Sequence, residues 1–465
     1  MRLSFEEIVR AVDGSAVAGA APCGIVEGVG TDSRAVKPGS LFVCIPGETF
    51  DGHDFAVKAA EAGAAALLVS RNPFDAVPPV PLILVEDTVK ALGKLAHCWR
   101  ERLGETRVIG LTGTAGKTTV KVLSRRGLTA KTHMNLNNQI GLPLSMLAAT
   151  GEEAFWVMEA GISHPNDMDE LGAILEPDLA LILNVGPGHA AGLGDRGTAH
   201  YKSKLLAHLA PGGTAIISAD YPDLAREARA VRQELVFFST SGRQVDYRAA
   251  YVVPAGEDKG LFRLWLDGVS IDVEAPFRGA FGAENVIAVA AVAHRLGLNA
   301  EEIAAGFAGA ALPKQRFACS RAGDWLVIDD SYNPLSFSRM LEAAAEMAGD
   351  HADRPLVCVL GEMGELGSLS EDEHRNLGRL VADIKPRLVC WKGGHLEEFE
   401  DGLHAGRYGG AFCPVTSAED MFKGLAACDL GSGGGVILFK GSRSNKLETL
   451  VSAFTEAQAG EPHAV

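Results

Sequence analysis

The chain has 465 residues, too many for a single hydrophobic core, so we expect several domains. Its content of 47% hydrophobic and 22% charged residues is ordinary for a globular protein. The net charge of −16 argues against nucleic acid or an anionic membrane as the main partner, because both select basic surfaces.

The cysteines and the apolar runs favour a cytoplasmic protein. The eight cysteines are scattered and no two form a Cys-x-x-Cys pair, which indicates reduced thiols rather than disulfides or a zinc site. The first residues lack the apolar core of a signal peptide, and no apolar run reaches the roughly 18 residues of a membrane span. We therefore expect no integral membrane association.

A small α/β domain is predicted over residues 1–86. Helical spacing occurs at 5–12 and 55–64. Short apolar runs predict strands at 41–45, 65–69 and 82–85. Ser33 and Arg34 stand in a segment typical of turns, and the residues leave open whether they also bind an anion.

A phosphate-binding loop is predicted next. An apolar run at 108–111 is long enough for a buried strand, a Gly-rich turn follows, and 117–123 has helical spacing. Strand, glycine turn and helix are the context that such a loop requires. Backbone N–H groups at Gly113 and Gly116 would face the phosphates, at a helix N-terminus that favours negative charge.

Two side chains of this segment have roles in the same interpretation. Lys117 would reach the β- and γ-phosphates of a nucleoside triphosphate, and the Thr118 hydroxyl would hold Mg²⁺. The strict pattern has glycine where this chain has Leu111, so the alternative is a chance Gly-rich turn. We predict a nucleoside triphosphate site.

The central domain, predicted over residues 87–312, alternates strands with helices. Its predicted strands are 108–111, 155–158, 179–183 and 215–218. Such alternation predicts a mostly parallel sheet with helices on both faces. Ligands of these sheets lie beyond the carboxyl ends of the strands, so functional residues are expected just past each strand.

Three residues stand at such places. Glu159 ends an apolar strand and could coordinate Mg²⁺, the alternative being a surface glutamate that begins a loop. His189 follows the next strand, and a lone histidine in a loop more often has no function. Lys204 lies on an amphipathic helix, where a lysine is normally solvated, so its spacing alone predicts no function.

The last domain, predicted over residues 313–465, is a second, Rossmann-like α/β domain. Parallel strands are predicted at 325–328, 356–360, 388–391 and 436–439. Helices such as 337–347 and 374–384 lie between them.

Over nearly the whole chain, the motifs resemble those of the Mur ligase family, ATP-dependent enzymes that form amide bonds. Thr112-Gly-Thr-Ala-Gly-Lys-Thr-Thr119 is similar to the family's form of the phosphate loop, which also accounts for Leu111. Further motifs follow the family's order: Thr31-Asp-Ser-Arg34, Asp51-Gly-His-Asp-Phe55, Asn135-Leu-Asn-Asn-Gln-Ile-Gly-Leu-Pro143, Glu159-Ala-Gly-Ile-Ser-His-Pro165, Asp329-Asp-Ser-Tyr-Asn333, Gly361-Glu-Met-Gly-Glu-Leu-Gly367 and Lys440-Gly-Ser-Arg443.

The resemblance implies a site for ATP and two Mg²⁺ ions. Thr118 and Glu159 would hold one ion, and His189 would contribute to the second. Lys204 would be the family's carbamylated lysine, in which a cation becomes a metal-binding carboxylate. Lys202 is a competitor two residues away, and the alignment of motifs favours Lys204.

Other site residues are implied in the same way. Lys117 would act in catalysis with the metal ligands, Asn285 would contact adenine, and Arg316 and Asp330 would close on ATP. The full set implied for ATP is Gly113, Thr114, Ala115, Gly116, Lys117, Thr118, Thr119, Asn285, Arg316 and Asp330. The set implied for the other substrates is Ser33, Arg34, Asn137, Asn138, Tyr332 and Asn333.

Within the family, the motifs are most similar to those of the member that joins D-alanyl-D-alanine to UDP-N-acetylmuramoyl-tripeptide in peptidoglycan precursor synthesis. The resemblance implies that residues 1–86 bind the uridine nucleotide, 87–312 bind ATP, and 313–465 bind the amine and close on ATP. The reaction would pass through an acyl phosphate and release ADP and phosphate. We expect a monomer without a nucleic acid partner.

Three positions depart from the family pattern and keep other hypotheses open. Glu284 and Ala288 replace a usual His and Asn near Asn285, and Pro334 alters the loop after Asn333. These departures are the only support for a nucleotide-dependent switch without catalysis. A sibling ligase would add another amino acid, but the Asp-Asn-Pro-Arg motif is absent; folylpolyglutamate synthetase would leave the uridine-type motifs unexplained.

Overall fold

The structure is a computed structural model that divides by its contacts into two compact units. The first unit comprises Met1–Leu183, Tyr201–Ile217 and Arg226–Val236, and the second comprises Asn184–His200, Ser218–Ala225 and Phe237–Val465. The structure describes residues 1–17, 24–47, 49–113, 116–133, 136–185, 193, 196–256, 258–310, 315, 317–331, 337–349, 354–364, 366–430 and 434–459, without the side chains of Lys117 and Ala280.

A five-stranded sheet opens the first unit. Its order is β2-β7-β6-β5-β4, and all neighbours are parallel except β2 and β7. The elements of this region are β1 (Arg2–Ser4), α1 (Phe5–Ala11), β2 (Ser15–Val17), β3 (Ile25–Glu27), β4 (Val29–Gly30), β5 (Leu41–Val43), α2 (Ala56–Glu61), β6 (Ala66–Val69), β7 (Leu82–Leu84) and α3 (Thr88–Arg102). The separate ribbon of β1 and β3 is antiparallel. The predicted helix at 55–64 is shorter than expected at both ends: the 3₁₀ turn Gly52–Phe55 includes its first residue, and the helix ends at Glu61, just before Gly63 with φ +96°.

The predicted parallel sheet around the phosphate loop is confirmed. Five strands run parallel in the order β12-β11-β8-β10-β9. The elements are β8 (Arg107–Thr112), α4 (Gly116–Leu123), β9 (Thr129–Lys131), α5 (Gly141–Ala148), β10 (Phe155–Glu159), α6 (Asp167–Leu175), β11 (Leu179–Ile182), α7 (Gly197–Ser203) and β12 (Thr214–Ser218). The inner strands were recognisable because strands covered on both faces are continuous apolar runs.

The second unit contains a strand meander that the sequence analysis did not predict. Strand β13 pairs parallel with β14, whereas β14, β15 and β16 are antiparallel. The elements along this part of the chain are α8 (Pro222–Val231), β13 (Val236–Ser239), β14 (Tyr247–Pro254), β15 (Gly260–Leu266), β16 (Val269–Ala275), α9 (Gly279–Arg295) and α10 (Ala300–Ala308). Of these, the part of α8 from Arg226 onward and the first residue of β13 belong to the first unit. A local signal was present, since Asp267 and Gly268 both have positive φ, as a tight Asp-Gly hairpin turn requires.

The last sheet has the order β17-β18-β22-β19-β20-β21. Its strands are parallel as predicted, except that β17 pairs antiparallel with β18 at the edge. The elements are β17 (Ala318–Ala322), β18 (Trp325–Asp330), α11 (Phe337–Gly349), β19 (Leu356–Gly361), α12 (Ser370–Ile384), β20 (Leu388–Lys392), α13 (Leu396–Ala405), β21 (Ala411–Pro414), α14 (Ala418–Ala427), β22 (Gly435–Lys440) and α15 (Glu448–Ala459). Two buried apolar clusters pack against it. Among the described helices of the chain, none is long and apolar enough to cross a membrane.

Candidate active site

The turn that follows β8 is described at Gly113 alone. Gly113 has φ +122°, and a Cβ atom there would lie 3.0 Å from Cβ of Leu183. Both the backbone conformation and this close approach therefore require glycine. The next two residues, Thr114 and Ala115, lie outside the described residues.

Helix α4 begins at Gly116, directly after this turn. Thr118 and Thr119 are buried in its first turn. The described side chains do not include that of Lys117, so its predicted contact with phosphate remains a prediction. Strand, turn and helix follow one another as expected, and the N-terminus of α4 offers the backbone donors that an anion needs.

Glu159 lies at the same sheet edge as this turn. Strand β10 pairs parallel with β8, and Glu159 is opposite Leu111 in the register. The Glu159 backbone N–H donates to Thr132 Oγ1 at 2.7 Å, and Asn137 Nδ2 donates to Glu159 Oε1 at 3.4 Å. The structure thus brings together two of the predicted site residues, Asn137 and Glu159.

The oxygen donors at this edge fit a magnesium ion. Thr118 offers a hydroxyl and Glu159 a carboxylate, the hard ligands that Mg²⁺ prefers. Among the described residues, no three His, Cys, Asp or Glu side chains form a metal-binding group. Mg²⁺ needs only one or two carboxylates when waters and substrate phosphates complete its shell. His189, the predicted ligand of the second ion, lies outside the described residues.

Asn138 has a structural role in the loop before α5. Its Oδ1 accepts hydrogen bonds from the N–H groups of Ile140 at 3.3 Å and Gly141 at 2.9 Å. The neighbouring Gln139 donates from Nε2 to Asp167 Oδ1 at 2.7 Å. These bonds hold the loop that carries Asn137, whereas the predicted contact of Asn138 with a substrate remains a prediction.

Lys204 is bound to a carboxylate of α6. Its Nζ donates to Asp169 Oδ2 at 2.5 Å and to the Pro165 carbonyl at 3.2 Å. Carbamylation would turn this cation into an anion next to the Asp169 carboxylate, which would repel it. The arrangement therefore weighs against Lys204 as the carbamylated lysine.

Lys202, two residues earlier in α7, has the more suitable surroundings. Part of the Lys202 residue is exposed. Burial of its ammonium group lowers the pKa of Lys202 to about 8, although the negative charge of Glu159 acts to raise it. The spacing of apolar residues along the sequence already indicated that Lys202 is on the buried side of this segment. Lys202 lies three residues after the buried Ala199, and three and four residues before the buried Leu205 and Leu206.

Ser33 and Arg34 form part of a turn, one of the two interpretations left open. The Arg34 backbone N–H donates to Asp32 Oδ1 at 2.9 Å, and its guanidinium donates to both Asp32 oxygens. Hydrogen bonds from Arg34 lower the pKa of Asp32 to about 2. Ser33 is buried and Arg34 is exposed, and the anion-binding role remains a prediction.

The other predicted residues belong to the second unit. Asn285 is buried in α9. Asp330 at the end of β18 accepts from Lys440 Nζ at 2.6 Å and from the Phe317 N–H at 3.0 Å. Burial raises the pKa of Asp330 and lowers that of Lys440. Since both Asp330 oxygens have protein donors, this geometry weighs against a direct contact with ATP. Arg316, Tyr332 and Asn333 lie outside the described residues.

Three family models match successive parts of the chain. The Mur ligase family catalytic domain matches residues 25–100, the Mur ligase middle domain matches 111–293, and the Mur ligase glutamate ligase domain matches 315–443. The matches agree with the three domains expected from the sequence in number and order. The matches do not test the exact domain boundaries, which remain predictions.

Characterised relatives are similar over nearly their whole length. The UDP-N-acetylmuramoyl-tripeptide–D-alanyl-D-alanine ligase of Escherichia coli is 35% identical over 93% of this chain and 94% of its own. The crystal structure of MurF from Acinetobacter baumannii superposes with a TM-score of 0.88, at 30% identity over 98% of this chain and 99% of its own. MurF from Thermotoga maritima in complex with ADP has a TM-score of 0.79, at 26% identity over 93% and 98% of the two chains. On this identity and coverage, the chain belongs to the Mur ligase family.

Proposed function

We propose that the chain is an ATP-dependent ligase that joins D-alanyl-D-alanine to UDP-N-acetylmuramoyl-tripeptide. The observation that carries this proposal is the 35% identity to the Escherichia coli enzyme of that name, over 93% of the chain. The strand, turn and helix at Gly113 and α4 supply the phosphate site that such a reaction needs. Peptidoglycan precursor synthesis in the cytoplasm, by a monomer, is part of the same proposal.

The chemistry follows from the charges of the reactants. A carboxylate and an amine do not condense spontaneously in water, so the γ-phosphoryl group of ATP is first transferred to the tripeptide carboxylate. The amine of D-alanyl-D-alanine then attacks the acyl phosphate, the amide bond forms, and phosphate leaves. Repulsion between the anionic carboxylate and the anionic triphosphate is the main obstacle to the first step.

The chain's own residues lower that repulsion in three ways. Backbone N–H groups around Gly113 and the N-terminus of α4 bind the phosphates, and Lys117 adds a positive charge. Thr118 and Glu159 hold Mg²⁺, which when bound neutralises charge on the transferred phosphoryl group. Asn137, bonded to Glu159, orients that carboxylate. His189 remains the proposed ligand of a second ion.

We propose that Lys202, in place of Lys204, is the lysine that becomes carbamylated. The neutral Lys202 amine attacks CO₂: an N–C bond forms as one C=O π bond of CO₂ breaks and its electron pair moves to oxygen. The nitrogen then loses a proton to water, which leaves a carbamate with one negative charge. The electrostatic interaction of Lys202 with Glu159, a proposed magnesium ligand, supports this assignment, because a carbamate at Lys202 would add an oxygen ligand to that site. Lys204 instead positions α6 through Asp169.

The remaining residues keep the roles that the family resemblance implies. Residues 1–86 bind the uridine nucleotide with Ser33 and Arg34, and Asn285 contacts adenine. Residues 313–465 bind the amine and close on ATP. Within them, Arg316 contacts ATP, whereas Tyr332 and Asn333 contact the other substrates. Asp330 is better assigned to holding Lys440 and Phe317, for which its buried bonds are the support.

Phosphate release in the presence of ATP, Mg²⁺, UDP-N-acetylmuramoyl-tripeptide and D-alanyl-D-alanine tests the proposal. We expect release only when all components are present, with one phosphate formed for each amide bond. Reactions that contain a single amino acid in place of the dipeptide are the control for a sibling ligase. A purified chain that binds ADP but releases no phosphate with either amine would show a nucleotide-dependent switch and overturn the proposal.

A further inference from the structure

An ion pair between a buried carboxylate and a partly exposed arginine lies next to Asn285 in the second unit and has no role in the reaction described above. Arg339 in α11 donates from Nη1 to Glu284 Oε2 and from Nη2 to the Tyr221 hydroxyl at 2.9 Å. The Tyr221 hydroxyl also donates to Glu284 Oε2, at 3.5 Å. The guanidinium lies 5.7 Å from the centre of the Tyr221 ring. We call these three residues the Arg339 cluster.

The cluster joins two segments that match different family domains. Tyr221 and Glu284 belong to the part that matches the middle domain, and Arg339 belongs to the part that matches the glutamate ligase domain. The same helices meet a second time at Gly279, where a Cβ atom would lie 3.2 Å from Glu346 Oε2 in α11. Arg339 is therefore carried by a helix that packs closely on the start of α9.

Arg339 stabilises the ionised form of Glu284. The side chain of Glu284 is 3% exposed, and its Oε1 is buried without a hydrogen-bond partner among the described residues. Burial raises the pKa of Glu284, and Arg339 opposes that shift. A carboxylate removed from water needs a paired cation. Without Arg339, either this part of α9 must shift or admit water, or the Glu284 carboxylate must take up a proton.

Asn285 is the next residue of α9, so any movement that relieves Glu284 also moves Asn285. We propose that Arg339 is a positioning residue for nucleotide binding, which holds Asn285 in place through Glu284. The inference rests on the proposed function, in which Asn285 contacts the adenine of ATP. Neither Glu284 nor Arg339 needs to touch the nucleotide for this role.

Steady-state kinetics of Arg339→Met measure the effect. We expect the KM for ATP to rise about ten- to hundredfold, with kcat and the KM for the dipeptide changed less than about threefold. Because Asn285 is proposed to read adenine, the ratio of the KM for GTP to that for ATP should fall. A general loss of stability would leave this ratio unchanged. The rise in Tm that ADP produces reports binding without turnover, and it should shrink in the variant.

Two further variants separate positioning from folding. Glu284→Gln in the Arg339→Met background removes the buried charge, and we expect it to restore the KM for ATP to within about threefold of the parent. Arg339→Lys retains the charge with a single donor group and should have an intermediate KM, and it also serves if Arg339→Met does not fold. Arg375→Met, which removes an arginine paired with the exposed Asp372, is the matched control and should change neither the KM nor the ADP effect.

The outcomes distinguish this inference from the proposed function. An unchanged KM for ATP and an unchanged ADP effect in Arg339→Met and Arg339→Lys would overturn the inference. Equal rises in the KM values of all substrates, with a lowered Tm and an unchanged GTP to ATP ratio, would also overturn it. A parent chain that binds ADP but forms no amide would instead overturn the proposed function and leave the ADP readout available for Arg339.

Discussion

Replacing Lys202 by alanine is the sharpest test of the metal site, because its neighbour Lys204 provides a matched control. With a pKa of about 8, about a quarter of the Lys202 amine is neutral at pH 7.5. A lysine with the ordinary pKa of 10.5 is only about 0.1% neutral at that pH. The amine that can react with CO₂ is therefore about 200 times more abundant at Lys202 than at an ordinary lysine.

The two substitutions are expected to have very different effects. Lys202→Ala removes the carbamate beside Glu159, and we expect phosphate release to fall at least about hundredfold. Short carboxylic acids such as acetate should restore part of the activity, because they can occupy the space of the carbamate. Lys204→Ala removes an ion pair whose side chains are 24% and 45% exposed, so it should cost at most about 1 kcal/mol of folding stability. We therefore expect phosphate release by Lys204→Ala to stay close to that of the parent.

The carbamate itself can be observed by ¹³C NMR of protein equilibrated with ¹³C-labelled bicarbonate. We expect a carbamate signal in the parent and in Lys204→Ala, and none in Lys202→Ala. Since burial lowers the pKa of Lys202, acidification below pH 8 protonates the amine, so the signal and the activity should fall together. Loss of the signal in Lys204→Ala, with its retention in Lys202→Ala, would refute the assignment and restore the original prediction.

Three further predictions concern the predicted phosphate loop and the buried ion pair of Lys440 and Asp330. Lys117→Ala should abolish ADP release with both substrates present, and near-normal turnover in a phosphate-release assay would contradict the phosphate loop. Gly113→Ala should raise the Kd for ADP in calorimetry, because φ is +122° and the new Cβ would crowd Leu183; an unchanged Kd would contradict this. Lys440→Met leaves the Asp330 carboxylate buried without its cation, so it should lower the free energy of unfolding by about 3–5 kcal/mol. Urea titrations monitored by hydrogen exchange of β18 and β22 measure this loss. Asp330→Asn added to Lys440→Met should recover most of that loss, and a double variant as unstable as the single one would count against the ion-pair explanation.

Much of the fold was predictable because local patterns determine it. Parallel strands such as β8, β10 and β22 are covered on both faces, so they are continuous apolar runs that a sequence reveals directly. The antiparallel β14, β15 and β16 were missed, since an alternating pattern with one exposed face is a weaker signal. The position of Glu159 at the carboxyl end of its strand also followed from local pattern, because it ends an apolar run.

The sequence by itself determined the family, the parallel sheets, and the strand-to-helix turn at which a phosphate loop is predicted. Only the tertiary structure distinguished the surroundings of Lys202 from those of Lys204 and showed which groups bind Asp330. Lys204 meets Asp169 from 35 positions away, and Lys440 meets Asp330 from 110 positions away. The protonation state of a lysine or a carboxyl group depends on the charges and the burial around it. Chain folding, and not the neighbouring residues in the sequence, creates those surroundings.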